Sequence, residues 1–387
     1  MQVLSPDDID NAIKLQGFYA FAIDFSYQGE PQHLTSGIYF GMPEELYHAI
    51  PALSSTGLKN LLISAPDFYF NSWLNPMKED DQEDGDSAKE WRRFGKASHT
   101  RNLEGKKVFD SLYCVEFLPP EGCLDTVADL KRYCAEAGID TKGSSKWGKS
   151  EWIAAVKFHN PNVLIYEVER EKYFQETGGK IQLTETEMRC IEIAAAMIEK
   201  HPELRHAFTG GYAEVTVIWI ENGLWFKARF DYLKPRAIVD LKTFTNKRHK
   251  PIDMALHETM AAMKYHIQVG LYTRAAEWAA GFARQGITTT YSVDRFGPDP
   301  EFLKALGDNK TGHEFYNVFQ KKGGAPLARG KKFPRNLNMM ACAYASIDIA
   351  IDRYKEYSAE FGTGIWVDKS SISDFEDALF PVYATEI

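Results

Sequence analysis

Cysteine is scarce in this chain and basic charge is not in excess, and both shortages narrow the field before any motif is read. The five cysteines among 387 residues (Cys114, Cys123, Cys134, Cys190 and Cys342) are odd in number and widely spaced, with no Cys-x-x-Cys pair. They read as reduced thiols, which excludes a disulfide framework and gives no sign of an iron–sulfur cluster. No apolar run approaches the roughly 20 residues of a membrane span, and Met1 to Leu15 carries acids where a secretory signal needs a basic start and an apolar middle. A cytoplasmic protein that does not enter a membrane is therefore expected. The net charge of −9 excludes a surface coated with basic residues, so any nucleic-acid path has to be local. Internal repeats are absent. What is present is 44% hydrophobic residues, enough for the core of one large or two ordinary domains.

The most informative stretch runs from Tyr212 to Tyr272. Ala213 to Ile220 is rich in β-branched and aromatic residues, and Asn222-Gly223 supplies the turn of a hairpin with Leu224 to Tyr232. After Lys234-Pro235-Arg236 a third strand is expected over Ala237 to Lys242. Alternation places Asp240 and Lys242 on one face of it and Val239 and Leu241 on the other. Asp231 and Asp240 on adjacent strands repel and are costly to desolvate unless a cation lies between them. Magnesium suits that gap, with manganese as the alternative, since it takes carboxylates and waters and leaves positions for phosphate oxygens. Lys242 beside it is placed to orient the attacking water and to stabilise charge on phosphorus.

Asp231 with Asp240-Leu241-Lys242 resembles the PD-(D/E)xK nucleases, although Phe230 stands where the family name has proline. Gln268-Val269-Gly270-Leu271-Tyr272 adds the Gln-x-x-x-Tyr signature of the RecB-like branch, its two polar residues one helical turn apart. Within that branch the chain is most similar to RecE-type exonucleases (exonuclease VIII-like), on residues from about Gly41 to the C-terminus. Phe94-Gly95-Lys96-Ala97-Ser98-His99 resembles the Gly-x-x-x-His helix of these families and makes His99 an expected metal ligand. The resemblance implies an α/β fold with an αβββαβ core, a central mixed sheet flanked by helices and elaborated by insertions. It implies Mg²⁺ held by Asp231, Asp240, the Leu241 carbonyl and His99, with Gln268 and Tyr272 fixing the scissile phosphate. It further implies 5′ to 3′ digestion of double-stranded DNA ends, a ring-shaped homo-oligomer and a single-strand annealing partner. An endonuclease of the same fold and a non-catalytic DNA-end-binding module are the rivals.

Residues 1–40 look like an extension ahead of the nuclease-like domain at 41–387, with packing and interaction roles both open. Tyr47 to Lys59 resembles the opening of RecE-like domains and is expected to be a capped helix packed on the sheet. Residues 78–90 form an acidic, solvated loop. Gly143 to Ser150 fits the Walker A pattern, but the polar segment before it offers no buried strand, so ATP is not expected. A flexible basic loop over 141–152, with Lys146 and Lys149 near DNA, is expected instead. Thr184 and Glu187 announce a helix with a capping box. Glu214 is balanced between a place in the metal shell and an edge-strand ion pair. Lys247 and Arg248 leave the catalytic strand, and residues 320–335, with Lys321, Lys322, Arg329, Lys331 and Lys332, read as a second basic loop for the DNA backbone.

Overall fold

The computed structural model describes residues 4–16, 20–27, 30–78, 86–246, 248–291 and 297–370. Its centre is a seven-stranded mixed sheet: β1 (Gly37–Phe40), β2 (Tyr212–Glu221), β3 (Leu224–Leu233), β4 (Ala237–Phe244), β5 (Thr288–Thr290), β6 (Glu314–Lys321) and β7 (Ala328–Phe333), in the order β7-β6-β4-β3-β2-β1-β5. The β2–β3 hairpin turns on Asn222 and Gly223, both at positive φ (49° and 76°), the conformation a two-residue hairpin needs. β4 and β6 pair in parallel, which requires a crossover, and helices supply most of it.

The helices that build and position the site are α1 (Pro6–Gln16), α2 (Ser55–Ile63), α3 (Asp86–His99), α4 (Glu185–Lys200), α5 (Ile252–Ala262), α6 (Tyr265–Gln285) and α7 (Asn338–Phe361). α6 is apolar nearly all round and is buried accordingly, with Ile267, Leu271, Ala275, Trp278 and Phe282 against one face of the sheet. Each large apolar side chain among them contributes about 1.5–3 kcal/mol on burial. α4 covers part of the other face, where Ile198 meets Tyr232, Val239, Leu241 and Val318. It carries the expected capping box, Thr184 and Glu187 each bonding the other's backbone N–H. Among the described residues no helix is long and apolar enough to cross a membrane.

Four expectations need correction. Residues 1–40 are not simply an extension: α1 packs on α6, where a side chain at Gly281 would collide with Ile9 and Ile13, and β1 is a strand of the central sheet. The acidic segment is shorter than 78–90, because α3 begins at Asp86, and residues 79–85 lie outside the described ones. The 141–152 stretch is not a flexible loop: Ser144–Lys146 is a 3-10 turn and Lys149–His159 a helix. Trp152 and Val156 of that helix join Leu130, Cys134 and Ile165 in a small core of the insertion's own. That insertion is joined to the body by a parallel pair, Tyr113–Val115 with Ile181–Leu183. Finally, most of 320–335 is the β6–β7 hairpin, its basic residues decorating an edge strand, where charge discourages further pairing.

Candidate active site

The site begins as a fault in the sheet. Ala213 pairs with Tyr232 and Val215 with Phe230, so Glu214 stands across from Asp231. The β3–β4 ladder holds only two pairs, Leu233 with Ile238 and Tyr232 with Val239, and the next position sets Asp231 against Asp240. Asp240 is in turn level with Asn317 of β6. One row across four strands therefore carries three acids and an amide.

Alternation also slips at this row. Val215, Val217 and Trp219 of β2, and Phe226, Ala228 and Phe230 of β3, bury toward α6, and so does Leu233, whereas Ala213 and Tyr232 pack with the α4 cluster. A strict two-residue repeat would put Phe230 and Tyr232 on one side. Glu214 and Asp231 absorb the extra step, and Glu214 does so with φ at 54°, a left-handed conformation costing a non-glycine residue of order 1–3 kcal/mol.

Past this row β3 and β4 separate, and side chains occupy the gap. The Leu241 N–H donates to Asp231 Oδ2 at 2.7 Å instead of to a strand neighbour. His99 Nε2 lies 3.1 Å from the Leu241 carbonyl oxygen and 3.7 Å from Asp231 Oδ2. It ends α3, where the helix widens into a π turn over Thr100–Glu104, a local irregularity frequent at functional sites. Arg101 in that turn bonds Glu192 (2.9 Å) and Glu199 (3.1 Å) of α4, which fixes His99 over the gap. Ligand atoms of His99, Glu214 and Asp231 all lie within 4.8 Å of one another. Arg229 holds Glu214 from behind through Nε (2.6 Å) and anchors itself on the Met42 carbonyl (2.8 Å).

Asp240 points to the α6 side of the same row and is fully buried. Lys242 Nζ reaches its Oδ2 at 2.5 Å, and Gln268 Nε2 donates to its Oδ1 at 2.9 Å. The structure thus joins Gln268 to an acid of the site. Tyr272, one turn further along α6, is buried beside it with its ring edge-on to Phe230, 5.5 Å between centroids.

The electrostatics are those of acids held together against their preference. Burial raises the Asp240 pKa, Asp231 raises it further, and Lys242 opposes, leaving it at about 6. Asp231 and Glu214 are also raised, first by burial; Asp231 repels Glu214, while Lys242 and the Leu241 amide restrain Asp231. Burial lowers the His99 pKa despite the nearby acids, so its imidazole is neutral and keeps a lone pair. Burial pulls Lys242 down, but Asp240 and Asp231 together outweigh it and hold the ammonium protonated. Two carboxylates and a neutral imidazole within 4.8 Å of one another, with the Leu241 carbonyl against the imidazole, make a hard, oxygen-rich donor set that fits Mg²⁺ or Mn²⁺, and Asp240 stands beside it, held by Lys242 and Gln268.

From sequence, Glu214 is balanced between the metal shell and an ion pair; in the fold it is ion-paired to Arg229 and its carboxylate also lies within 4.8 Å of ligand atoms of His99 and Asp231. The signal lies in β3: Phe226, Ala228 and Phe230 step by two, and the next apolar residue on that face is Leu233, a step of three.

The other candidates are dispersed. Lys149 is ion-paired to Glu167 and to Asp125 (3.6 Å), and Lys146 is exposed on the insertion. Lys247 lies outside the described residues and Arg248 is exposed. On the hairpin, Lys331 pairs with Asp253 (2.6 Å), Lys332 with Glu314, and Lys322 lies 5.0 Å from the ring centroids of both Trp91 and Phe94. Lys321 is half-buried and Arg329 exposed.

No family model matches the chain, and no curated protein does. Among solved structures it is similar to one of a "Putative exonuclease" from Eubacterium rectale, at 13% identity and a TM-score of 0.42, with 82% of this chain and 86% of that one covered. So loose a likeness does not bear on the chemistry, which rests on the geometry of the site.

Proposed function

We propose that this chain is a metal-dependent nuclease of the PD-(D/E)xK kind, and more narrowly a cytoplasmic RecE-type exonuclease that digests double-stranded DNA ends 5′ to 3′ and leaves 3′ single-stranded tails. The observation that carries the reading is the convergence of His99, Glu214 and Asp231, whose ligand atoms lie within 4.8 Å of one another, with the Asp240–Lys242 pair beside them at the same break in the sheet. Glu214, Asp231, Asp240, His99 and the Leu241 carbonyl would hold Mg²⁺ or Mn²⁺. When bound, such a cation polarises the scissile phosphate and acidifies a water. Lys242 brings a protonated amine to the place where negative charge builds on phosphorus. Gln268 fixes the Asp240 carboxylate through Oδ1, and Tyr272 backs Gln268. Arg229 holds the carboxylate of Glu214, whose backbone is left-handed, through Nε. A ring-shaped oligomer and a single-strand annealing partner belong to the same proposal, and a sizing column tests the first.

The deciding experiment uses linear duplexes labelled at either end, with and without Mg²⁺, beside a sealed plasmid. The expected result is Mg²⁺-dependent release from 5′ ends with the plasmid intact. Nicking of the plasmid would make the chain an endonuclease of this fold. End binding without cleavage under Mg²⁺ or Mn²⁺ would make it a non-catalytic DNA-end module.

A further inference from the structure

Where β3 and β4 part, the segment that follows β1 fills the sheet. Leu53 takes the free edge of β3: its N–H donates to the Trp225 carbonyl and its carbonyl accepts from the Lys227 N–H, both at 2.9 Å. Arg229 donates to the Met42 carbonyl (2.8 Å), and the Lys227 ammonium to the carbonyls of Tyr47 (2.9 Å), His48 (3.3 Å) and Ile50 (2.8 Å). The short helix Glu44–Ala49 is pinned in this way beside the acids, and it carries Tyr47. The Tyr47 ring centroid lies 4.9 Å from Lys227 Nζ and 5.6 Å from Arg229 Cζ, and Arg229 is itself bonded to Glu214 at 2.6 Å. Contacts between a ring and two cations fix the ring and leave its hydroxyl unspent. Lys227 and Arg229 alternate with Phe226 and Ala228, which bury toward α6, so Tyr47 reaches the gap from the other face of the sheet.

Other enclosed tyrosines spend their hydroxyls on the backbone. Tyr232 donates to the Gly211 carbonyl (2.9 Å), and Tyr212 accepts from the Asp299 N–H (2.8 Å). The Tyr47 hydroxyl has no hydrogen-bond partner among the described residues, although its ring packs on the cluster that contains Leu46 and Ile50. Burial pushes its pKa above the ordinary phenol range, Arg229 opposes and Glu214 adds to the rise, so it stays an uncharged donor. The Tyr272 phenol is raised as well, by burial first and then by Tyr47, Asp240 and Asp231. Tyr47 and Tyr272 therefore flank the acids from opposite faces. A donor kept free beside carboxylates that a cation would claim needs an acceptor that arrives with the substrate, and a phosphodiester brings its non-bridging oxygens.

We propose that Tyr47 is a substrate-binding residue of this site, its hydroxyl donating to a non-bridging oxygen of the scissile phosphate from the face opposite Gln268 and Tyr272. Lys227 and Arg229 aim it there. The proposal rests on the nuclease reading and adds to it a residue from the segment that joins β1 to α2.

Tyr47→Phe keeps the ring and both cation contacts and removes only the hydroxyl. On linear duplex under Mg²⁺ it is expected to lower kcat/KM about ten-fold or more, the scale of one hydrogen bond to a charged group, with the melting temperature and the Mg²⁺ needed for half-activity unmoved. A stereodefined phosphorothioate at the linkage that the unaltered chain cuts gives the readout a packing role would not move. In one diastereomer sulfur replaces the oxygen that accepts from Tyr47, and there the penalties of sulfur and of Tyr47→Phe overlap instead of multiplying. Penalties that multiply in both diastereomers, or a kcat/KM within about two-fold of the unaltered chain, overturn the proposal and leave the nuclease reading intact. If the unaltered chain cleaves no DNA under Mg²⁺ or Mn²⁺, the nuclease reading fails and Tyr47 is judged by binding of duplex ends under Ca²⁺. Binding weakened about ten-fold by Tyr47→Phe supports the phosphate contact, and equal binding, or none by either chain, overturns it.

Discussion

Two stretches of this chain carry patterns that serve phosphate chemistry, and the fold treats them in opposite ways. At Gly143 to Ser150 the lysine begins an 11-residue helix at the surface, preceded by a helix and a turn, with Glu167 and Asp125 neutralising it. At Asp231 to Lys242 the acids are enclosed, their pKa values are displaced, and the backbone ladder is interrupted to admit a carboxylate. The first stretch is fully satisfied by its neighbours. The second is under strain that a cation and a phosphate would relieve, and perturbed groups of that kind concentrate where chemistry occurs. A residue pattern alone separates the two poorly, whereas the burial and strain around it separate them well.

Substitutions can sharpen this contrast or break it. Asp240→Asn is expected to lower Mg²⁺-dependent release of nucleotides from linear duplex by at least about 10³-fold while DNA binding in a gel-shift assay persists. Cleavage near the original rate would remove Asp240 from the site. Glu214→Gln should cost about 10²-fold and raise the Mg²⁺ needed for half-activity, as loss of one ligand does. If the Mg²⁺ requirement stays put, Glu214 is only the partner of Arg229.

The pH dependence has a definite sign. Asp240, raised from 3.8 to about 6, prefers its proton in the fold, so the metal-free protein loses stability as pH rises through that window. Activity needs the ionised form and should fall about ten-fold per unit below pH 6. Mg²⁺ should accordingly raise the melting temperature more at a pH of about 7.5 than at about 5, by calorimetry; an equal rise at both would contradict the displaced titration of Asp240.

Smaller effects lie outside the row. Lys227→Met leaves three carbonyls without their donor and should cost about 2–3 kcal/mol in urea unfolding. Lys149→Ala is expected to alter cleavage by no more than about two-fold, because removing one partner of an exposed ion pair is worth little. A larger loss would return the insertion to the site.

Asp231, Asp240, Lys242 and the hairpin before them are legible in the sequence because strand alternation and turn chemistry are local properties. So is the capping box at Thr184. The double slip at Glu214 and Asp231 is not, since it exists only where two strands share an irregularity, although the three-residue step from Phe230 to Leu233 marks it. Tyr47 reads as part of a packing helix, because nothing in its own turn shows that Lys227 and Arg229 lie beside it. The basic run at 320–335 misleads for the converse reason. Its glycines and lysines look loop-like in isolation, and only the register with Glu314 to Lys321 makes it an edge strand.

The amide of Leu241 is guarded by a carboxylate where its neighbours rely on the ladder. Deuterium uptake at that single backbone position therefore becomes a clock on Asp231: whatever reorients the carboxylate resets the rate, and occupancy of the cleft can be followed in the absence of any nucleic acid or turnover.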